Sequence, residues 1–225
     1  MALPHRLAIL GGFQALADPA LPRGTRTVLM LGPGLGFWPH LTAQPEWDGH
    51  ADPIDRWSRR AIGRIACDLG AKALFPFGGP PWQPFYQWAL RTGAVRESPV
   101  RLLVHHEQGL MVSFRGALAL KAALDLPVPP PAPCETCAEK PCLTACPPRA
   151  LTGAGYDVPA CHGFLDTAAG QDCLSQGCAA RRACPVSQRY DRMPEQSAWH
   201  MARFHPGEWA HETVDPDAAR EIGLG

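Results

Sequence analysis

Four cysteines occupy the segment Cys134-Glu-Thr-Cys137-Ala-Glu-Lys-Pro-Cys142-Leu-Thr-Ala-Cys146-Pro147, which ends in a Cys-Pro step. A second run follows it and also ends in a Cys-Pro step; it comprises Cys161, Cys173, Cys178 and Cys184-Pro185. Of the nine cysteines in the 225-residue chain, only Cys67 lies outside these two runs. A secreted disulfide scaffold is short and carries cysteines throughout, so a dense cluster in one part of a longer chain predicts a metal or iron–sulfur site.

The spacing of these cysteines resembles the bacterial ferredoxin pattern C-x2-C-x2-C-x3-C-P, in which the fourth cysteine binds the other cluster. Two extra residues separate Cys137 from Cys142, but the first pair, the x3 interval and both Cys-Pro steps agree with the pattern. Each iron of a cubane cluster needs one thiolate, and a tight loop presents only three of the four. We therefore predict two 4Fe-4S clusters with crossed ligands. The first set is Cys134, Cys137, Cys142 and Cys184, and the second set is Cys146, Cys161, Cys173 and Cys178.

Two zinc sites are the alternative, because zinc also binds four thiolates and uses C-x2-C knuckles. Zinc ribbons have little use for paired Cys-Pro steps or for an interleaved order of ligands, so the sequence favours iron–sulfur chemistry. A single cluster with spare cysteines is a further alternative. Cys67 flanks a helical stripe and is interpreted as an ordinary semi-buried thiol.

A proline-rich segment separates the cysteine runs from the preceding part of the chain. Residues 127–133 read Pro-Val-Pro-Pro-Pro-Ala-Pro and predict a stiff, extended linker. We therefore predict a first domain over residues 1–126, a cysteine domain over 134–200 and a C-terminal tail over 201–225. Hydrophobic residues make up 46% of the chain, which is enough apolar material for a real core.

The first domain alternates strand-like and helix-like patterns, which indicates a layered α+β or α/β domain. Residues 7–17 are interpreted as a first element on the core rather than as a signal peptide. Residues 27–31 form an apolar run closed by a glycine-rich turn, which predicts a buried strand. Asp52 and Pro53 mark a helix start, and the apolar stripe that follows runs to Gly70. Further predicted elements are a strand over 71–75, a helix from Pro80, a hairpin of 100–105 with 110–115, and a helix over 194–204.

The order of motifs in the first domain is similar to that of CblC-type cobalamin-processing proteins. The similar features are the strand at 27–31, the helix opened by Asp52-Pro-Ile-Asp-Arg56, and the motif His105-x3-Gly109-x5-Arg115-Gly116. The cysteine domain resembles the dicluster module of epoxyqueuosine reductases and reductive dehalogenases, cobalamin enzymes in which clusters feed electrons to cobalt. The two resemblances imply an α+β fold: a flavin-nitroreductase/CblC-like mixed domain followed by a small bacterial-ferredoxin-like iron–sulfur domain.

The CblC resemblance implies a cofactor pocket that includes His105, His106, Arg115 and Gly116. Arg115 matches the arginine beside the thiol-cosubstrate site of that family, and a guanidinium can hold a carboxylate or phosphate through two hydrogen bonds. His105 would orient a ligand amide, and His106 would act as an axial ligand or an acid. His106 replaces the proline that the family has there, and the family's aromatic residue of the next strand is replaced near Met111. A surface arginine and a strand-end histidine are the structural alternatives for Arg115 and His105.

Together these features predict a cytoplasmic oxidoreductase in which two 4Fe-4S clusters pass single electrons from an electron-donor protein to bound cobalamin. Flavin is the alternative cofactor, and a ferredoxin-like electron carrier without its own substrate is the alternative function. A zinc-stapled interaction protein is a third possibility. The formal net charge of zero does not favour nucleic-acid binding, and no run of about 18 apolar residues predicts a membrane span.

Overall fold

The computed structural model describes residues 4–16, 18–190 and 192–206. These residues form two compact units. The first unit contains the described residues up to 95 together with 113–130, and the second contains 96–112 and the described residues from 131 onward. The second unit therefore includes a segment that precedes the proline-rich residues 127–133 in the chain.

The strands are β1 Leu7–Gln14, β2 Thr27–Pro33, β3 Lys72–Leu74, β4 Val95–Glu97, β5 Leu103–His105, β6 Gly116–Leu120, β7 Leu151–Thr152 and β8 Gly155–Tyr156. The α-helices are α1 Phe37–Thr42, α2 Pro53–Asp68, α3 Phe85–Arg91, α4 Val158–Leu165, α5 Gln171–Gln176, α6 Ala179–Ala183, α7 Pro185–Arg189 and α8 Pro194–Phe204. Short 3-10 helices span Pro4–Arg6, Pro141–Leu143 and Ala168–Gly170. This mixture of small antiparallel sheets and helices is an α+β architecture, as the sequence predicts.

A four-stranded antiparallel sheet with the order β1-β2-β6-β3 organises the first unit. The apolar run at residues 27–31 is the buried strand β2, which confirms that prediction. Leu7, Leu10 and Phe13 of β1 are buried, so the apolar residues near the start of the chain do pack on the core. The sheet thereby joins strands that lie about 90 residues apart in sequence, since Met30 of β2 pairs with Ala117 of β6.

Helix α2 packs against β3 and β6, and its pattern follows the predicted amphipathic stripe. Trp57, Ala61 and Ile62 are buried, whereas Arg60 and Arg64 are exposed. Pro53 occupies the first turn, where its missing N–H group costs nothing. Asp52 occupies the N-cap position, as the predicted helix start requires, but its backbone is left-handed at φ 50° and its side chain makes no capping hydrogen bond.

The structure corrects two predicted elements. The helix expected from Pro80 begins instead at Phe85, because Pro81 and Pro84 disfavour helical backbone in the residues before them. The expected hairpin of 100–105 with 110–115 is reduced to a single bridge between His105 and Gly109, and β5 pairs with β4 instead. The chain beyond that bridge leads into β6, which joins the sheet of the first unit.

The second unit consists of short helices around a core that combines aliphatic side chains with cysteines. Its buried members are Val100, Leu102, Val104, Leu110, Cys142, Cys146, Ala150, Leu151, Ala180, Cys184 and Val186. Helix α8 packs against α5 and has the bounds predicted from the sequence. No helix in the described part of the chain has the length and apolar character that a membrane span needs.

Candidate functional site

The eight cysteines of the two runs all belong to the second unit, and every one of the chain's nine cysteines is a free thiol. Cys142, Cys146, Cys173 and Cys184 are buried, at most 9% exposed, and the other four are half-buried. Cys67 is exposed on α2, so the expectation that it is semi-buried is wrong. The thiols thus face the interior of one small unit rather than water.

Short helices and turns carry these thiols from different parts of the unit. Cys142 lies in the 3-10 helix Pro141–Leu143, Cys161 on α4 and Cys173 on α5. Cys178 precedes α6, and Cys184 separates α6 from α7. Pro185 opens α7 at a position where no N–H group needs a partner, so the Cys-Pro step turns the chain into a new helix.

Electrostatic coupling among the thiols links Cys134 to three other cysteines. Burial, and then the neighbouring thiols of Cys184, Cys142 and Cys137, together raise the pKa of Cys134 to about 11. Burial, then Cys184 and Cys137, raise the pKa of Cys142 in the same way. These four residues are the ones that the crossed spacing assigns to the first set.

Cys161 is coupled in the same way to the cysteines of the second set. The pKa of Cys161 is raised to about 11. Burial is the largest cause, a hydrogen bond from Tyr156 opposes it, and the thiols of Cys178, Cys146 and Cys173 add to it. The hairpin of β7 and β8 places Tyr156 beside this sulfur. Because uncharged thiols are favoured here, a bound cation or cluster would have to displace their protons.

The sulfur spacing bears on the choice between zinc and a larger inorganic group. Within the described residues, only the set of His105, His106 and Glu107 places three potential ligand atoms within 4.8 Å of one another. Tetrahedral zinc with Zn–S bonds of about 2.3 Å holds its sulfurs roughly 3.8 Å apart. No three cysteine sulfurs of the described residues lie within 4.8 Å of one another, so the closest approach to a metal-binding spacing is the histidine–glutamate set rather than a cysteine set.

His105 is the last residue of β5 and His106 follows it in the turn; both lie in the second unit. The Nδ1 atom of His105 accepts the backbone N–H groups of Glu107 and Gln108 at 3.2 and 3.3 Å, and the side chain is buried. His106 is partly exposed, and its Nε2 lies 3.8 Å from a carboxylate oxygen of Glu107. His105 therefore has a structural role in this turn, which is the alternative that the sequence offers for it.

Arg115 and Gly116 lie in the first unit. The Arg115 Nη1 atom donates to Asp55 at 3.3 Å, its Nε donates to the carbonyl of Phe114, and its side chain is 18% exposed. Burial lowers the pKa of Arg115 and raises that of Asp55, so the pair is held in a low-dielectric environment. A Cβ at Gly116 would lie 2.8 Å from Ile62, so this glycine permits α2 to approach β6 closely.

A second guanidinium lies near Arg115. Arg59 lies over the rings of Phe75 and Phe77 at 5.5 and 5.1 Å, and Arg115 lies 5.8 Å from the Phe77 ring. Two cations therefore lie near one aromatic ring, and Asp55 pairs with one of them, Arg115. Two guanidinium groups close together suit the phosphate or carboxylate of a ligand. Sequence reasoning missed Arg59 and Asp55, although their spacing of four residues on α2 places them on one helix face.

A buried pair of histidines in the second unit was also missed. The Nδ1 atoms of His162 and His205 lie 2.6 Å apart, and His205 Nε2 lies 2.9 Å from an oxygen of Asp166. His162 also stacks on Phe204 at 4.5 Å between ring centroids. The contact joins α4 to the end of α8, across about 40 residues of sequence, so no local pattern reveals it.

This pair predicts acid sensitivity of the second unit. Burial, and then His205, lower the pKa of His162, so folding opposes its protonation. The contribution of neutral His162 to stability is therefore complete above the unfolded pKa of about 6.5, and it declines as the pH falls below that value. We expect the guanidinium concentration at the unfolding midpoint to be lower at pH 5.5 than at pH 7.5. This decrease should be smaller in His162→Gln than in the wild-type protein. An unchanged slope in His162→Gln, relative to the exposed-site control His50→Gln, would contradict the assignment.

Comparison with protein families, with curated proteins and with solved structures gave no match to this chain. Function is therefore argued from the two cysteine sets and from the arginine cluster of the first unit, which is defined by Asp55, Arg59, Phe77 and Arg115.

Proposed function

We propose that this chain is an iron–sulfur redox protein that holds two 4Fe-4S clusters and uses their electrons to reduce or process cobalamin. The observation that carries the proposal is the coupling of Cys134 and Cys161, each to the three remaining members of its own set of four. Four thiolates per cubane use all eight cysteines of the two runs. Each cluster, when bound, supplies one-electron transfer.

The residues around the sulfurs suit such a group. Burial, and then Cys161 itself, raise the pKa of Tyr156. Its hydroxyl therefore stays protonated and donates a hydrogen bond to the Cys161 sulfur. The backbone N–H of Ala179 similarly lowers the pKa of Cys173 against the effect of burial. Hydrogen bonds to ligating sulfurs stabilise negative charge there and tune the potential. The chain thus supplies a dry core and directed donors.

The arginine cluster supports binding of a cofactor that carries an anionic group. Arg59 and Arg115 face Phe77, and Asp55 balances one of the two charges. A phosphate placed there would receive hydrogen bonds from guanidinium and compete with Asp55 for Arg115. Cobalamin and flavin nucleotides both carry such a phosphate, so this cluster supports either cofactor. Cobalamin is preferred because the order of the motifs resembles that of CblC-type proteins.

An electron carrier without its own substrate is the second candidate, and a cleft beside the first set favours it. This open cleft of about 400 Å³ is lined by Cys134, Arg101 and Lys140 among others. A thiol that is half-buried at a cleft brings its cluster within reach of an external electron-donor protein. A carrier needs this access alone, whereas the first function also needs a bound cofactor.

The test is anaerobic reconstitution of the full chain followed by metal analysis and titration with cobalamin. We expect roughly eight iron and eight sulfide per chain, and a spectral change of added cobalamin once the clusters are reduced. Zinc without sulfide would reject the cluster proposal. If the clusters form but cobalamin causes neither a spectral change nor heat, cobalamin binding is rejected and the electron-carrier function is retained. A parallel titration with a flavin nucleotide tests the alternative cofactor.

A further inference from the structure

We propose that the cleft beside Cys134 is a binding site for a small molecule that carries a carboxylate or phosphate group. The side chains that hold this anion are Ser98, Arg101 and Lys140, which all line the cleft. The inference goes beyond the proposed function, because it names a ligand for the cleft and does not require the clusters. It is carried by the way the cleft is built, by hydrogen-bond donors in its wall that have no acceptor, and by the backbone beneath its two cations.

Three segments of the second unit build this cleft. The turn between β4 and β5 contributes Ser98 and Arg101, and the backbone N–H of Arg101 donates to the Ser98 carbonyl at 2.9 Å. The turn between β7 and β8 contributes Gly153, whose carbonyl accepts a hydrogen bond from Arg101 Nε at 3.0 Å. Lys140 comes from the loop of the first cysteine run, just before its 3-10 helix. The wall is therefore assembled from parts of the chain that are distant in sequence.

The wall of the cleft contains hydrogen-bond donors without an acceptor. The Ser98 side chain is 5% exposed, and its hydroxyl has no hydrogen-bond partner among the described residues. Arg101 Nη1 donates to Glu97 at 3.0 Å and Nε donates to Gly153, whereas Nη2 has no acceptor in the described part of the chain. A buried hydroxyl without a partner is costly, so a ligand that accepts from Ser98 would remove that cost.

The charges of the lining select an anion. Glu97 already pairs with Arg101, and Lys140 forms no ion pair within the described residues. Ammonium, guanidinium and hydroxyl donors that lack acceptors suit a group that only accepts and carries negative charge, which is a carboxylate or a phosphate.

The size of the cleft favours a small molecule. Its volume of about 400 Å³ lies in the range of small-molecule sites, whereas a stable protein interface needs a much larger surface. Cys134 is half-buried in the same wall, so the bound molecule would lie beside a thiol of the first set.

Both cations of the cleft stand on left-handed backbone. The φ angle is 64° at Arg101 and 43° at Lys140. Residues other than glycine rarely adopt this conformation, and such outliers cluster at active sites and ligand clamps. Glycine would relieve the strain at either position but would remove a charge from the cleft. The strained positions therefore agree with a binding role for the two side chains.

The experiment is isothermal titration calorimetry of the anaerobically reconstituted full chain. Sodium phosphate is the probe in one arm and sodium succinate in the other, with sodium chloride keeping the ionic strength constant. We expect saturable binding of at least one anion, and the anion with the higher affinity identifies the acidic group of the ligand. Lys140→Gln should weaken this binding about tenfold, and Ser98→Ala roughly threefold. The matched control Lys121→Gln removes an exposed lysine that does not line the cleft and should leave the affinity unchanged.

Two further variants separate this site from other causes of lost binding. Arg59→Gln alters the arginine cluster of the first unit, which also offers guanidinium groups to phosphate, and it should keep the affinity that Lys140→Gln loses. If phosphate fills both places, each of these two variants should lose one of two sites. Lys140→Gly removes the ammonium and relieves the left-handed strain, so it should lose affinity without lowering the guanidinium midpoint.

The absence of saturable binding of both anions to the wild-type chain would overturn the inference. Equal affinity in wild type and Lys140→Gln, or loss of all binding in Arg59→Gln, would overturn it as well. None of these outcomes changes the iron and sulfide content, whose absence would instead overturn the proposed function.

Discussion

Replacing Cys184 with alanine is expected to remove half of the bound iron, from roughly eight to roughly four atoms per chain. Cys184 is buried, at 9% exposed, and it is the first of the thiols that influence Cys134. Loss of this sulfur leaves one iron of the first cluster without its protein ligand. The matched control is Cys67→Ala, which removes an exposed thiol from α2 and should leave the iron content unchanged.

Double variants test the partition itself. Cys142→Ala added to Cys184→Ala removes a second ligand of the same set, so it should cost no further iron. Cys178→Ala added to Cys184→Ala removes one ligand from each set, so it should abolish iron binding. Residues that act as one unit give such non-additive results, whereas independent sites add. If the first double variant lost all iron and the second kept half, the crossed assignment would be wrong.

Replacing Gly109 with alanine is expected to lower the free energy of unfolding of the second unit by about 2–5 kcal/mol. Gly109 has φ 58°, and a Cβ there would lie 2.4 Å from the backbone nitrogen of Ser187. Left-handed backbone costs an alanine about 1–2 kcal/mol, and forcing extra atoms into a packed contact costs about 1–3 kcal/mol more. The turn is also fixed, since Leu110 donates its N–H to the Ser187 hydroxyl at 2.9 Å.

Gly163→Ala is the matched control for this substitution. Gly163 lies in α4 of the same unit, and no atom lies within 4 Å of the position that its Cβ would take. Alanine in place of a helical glycine should stabilise the unit by about 0.5–1 kcal/mol. Guanidinium unfolding followed by circular dichroism measures both variants, and equal midpoints for Gly109→Ala and wild type would show that the turn does not pack as described.

Periodic and capping patterns predicted those elements whose form is set by nearby residues. The apolar run of β2, the stripe of α2 and the bounds of α8 all depend on local spacing. The failures had long-range or proline-specific causes. Residues 110–115 form no strand because β6, just beyond them, pairs with β2, and the helix after Pro80 starts late because of the prolines that follow.

The cysteine spacing predicted which residues are candidate ligands, but their surroundings could not be predicted. Arg115 and Asp55 are 60 residues apart, and Arg181 and Leu110 are 71 apart. Contacts over such distances depend on how the elements pack. Arg115 and Asp55 each lie in a motif, but no local pattern shows that the members of either pair come together, so the charges around the site become visible only in three dimensions.

The core of the second unit has a consequence for protein engineering. Val100, Leu102 and Val104 contribute to the same apolar cluster as Cys142 and its neighbours, although they precede the proline-rich linker. A gene fragment cut at those prolines would encode the thiols without one side of the interior that shelters them. The residues that follow the prolines therefore do not contain a complete core. A fragment designed to carry the cysteine sets has to include residues 96–112.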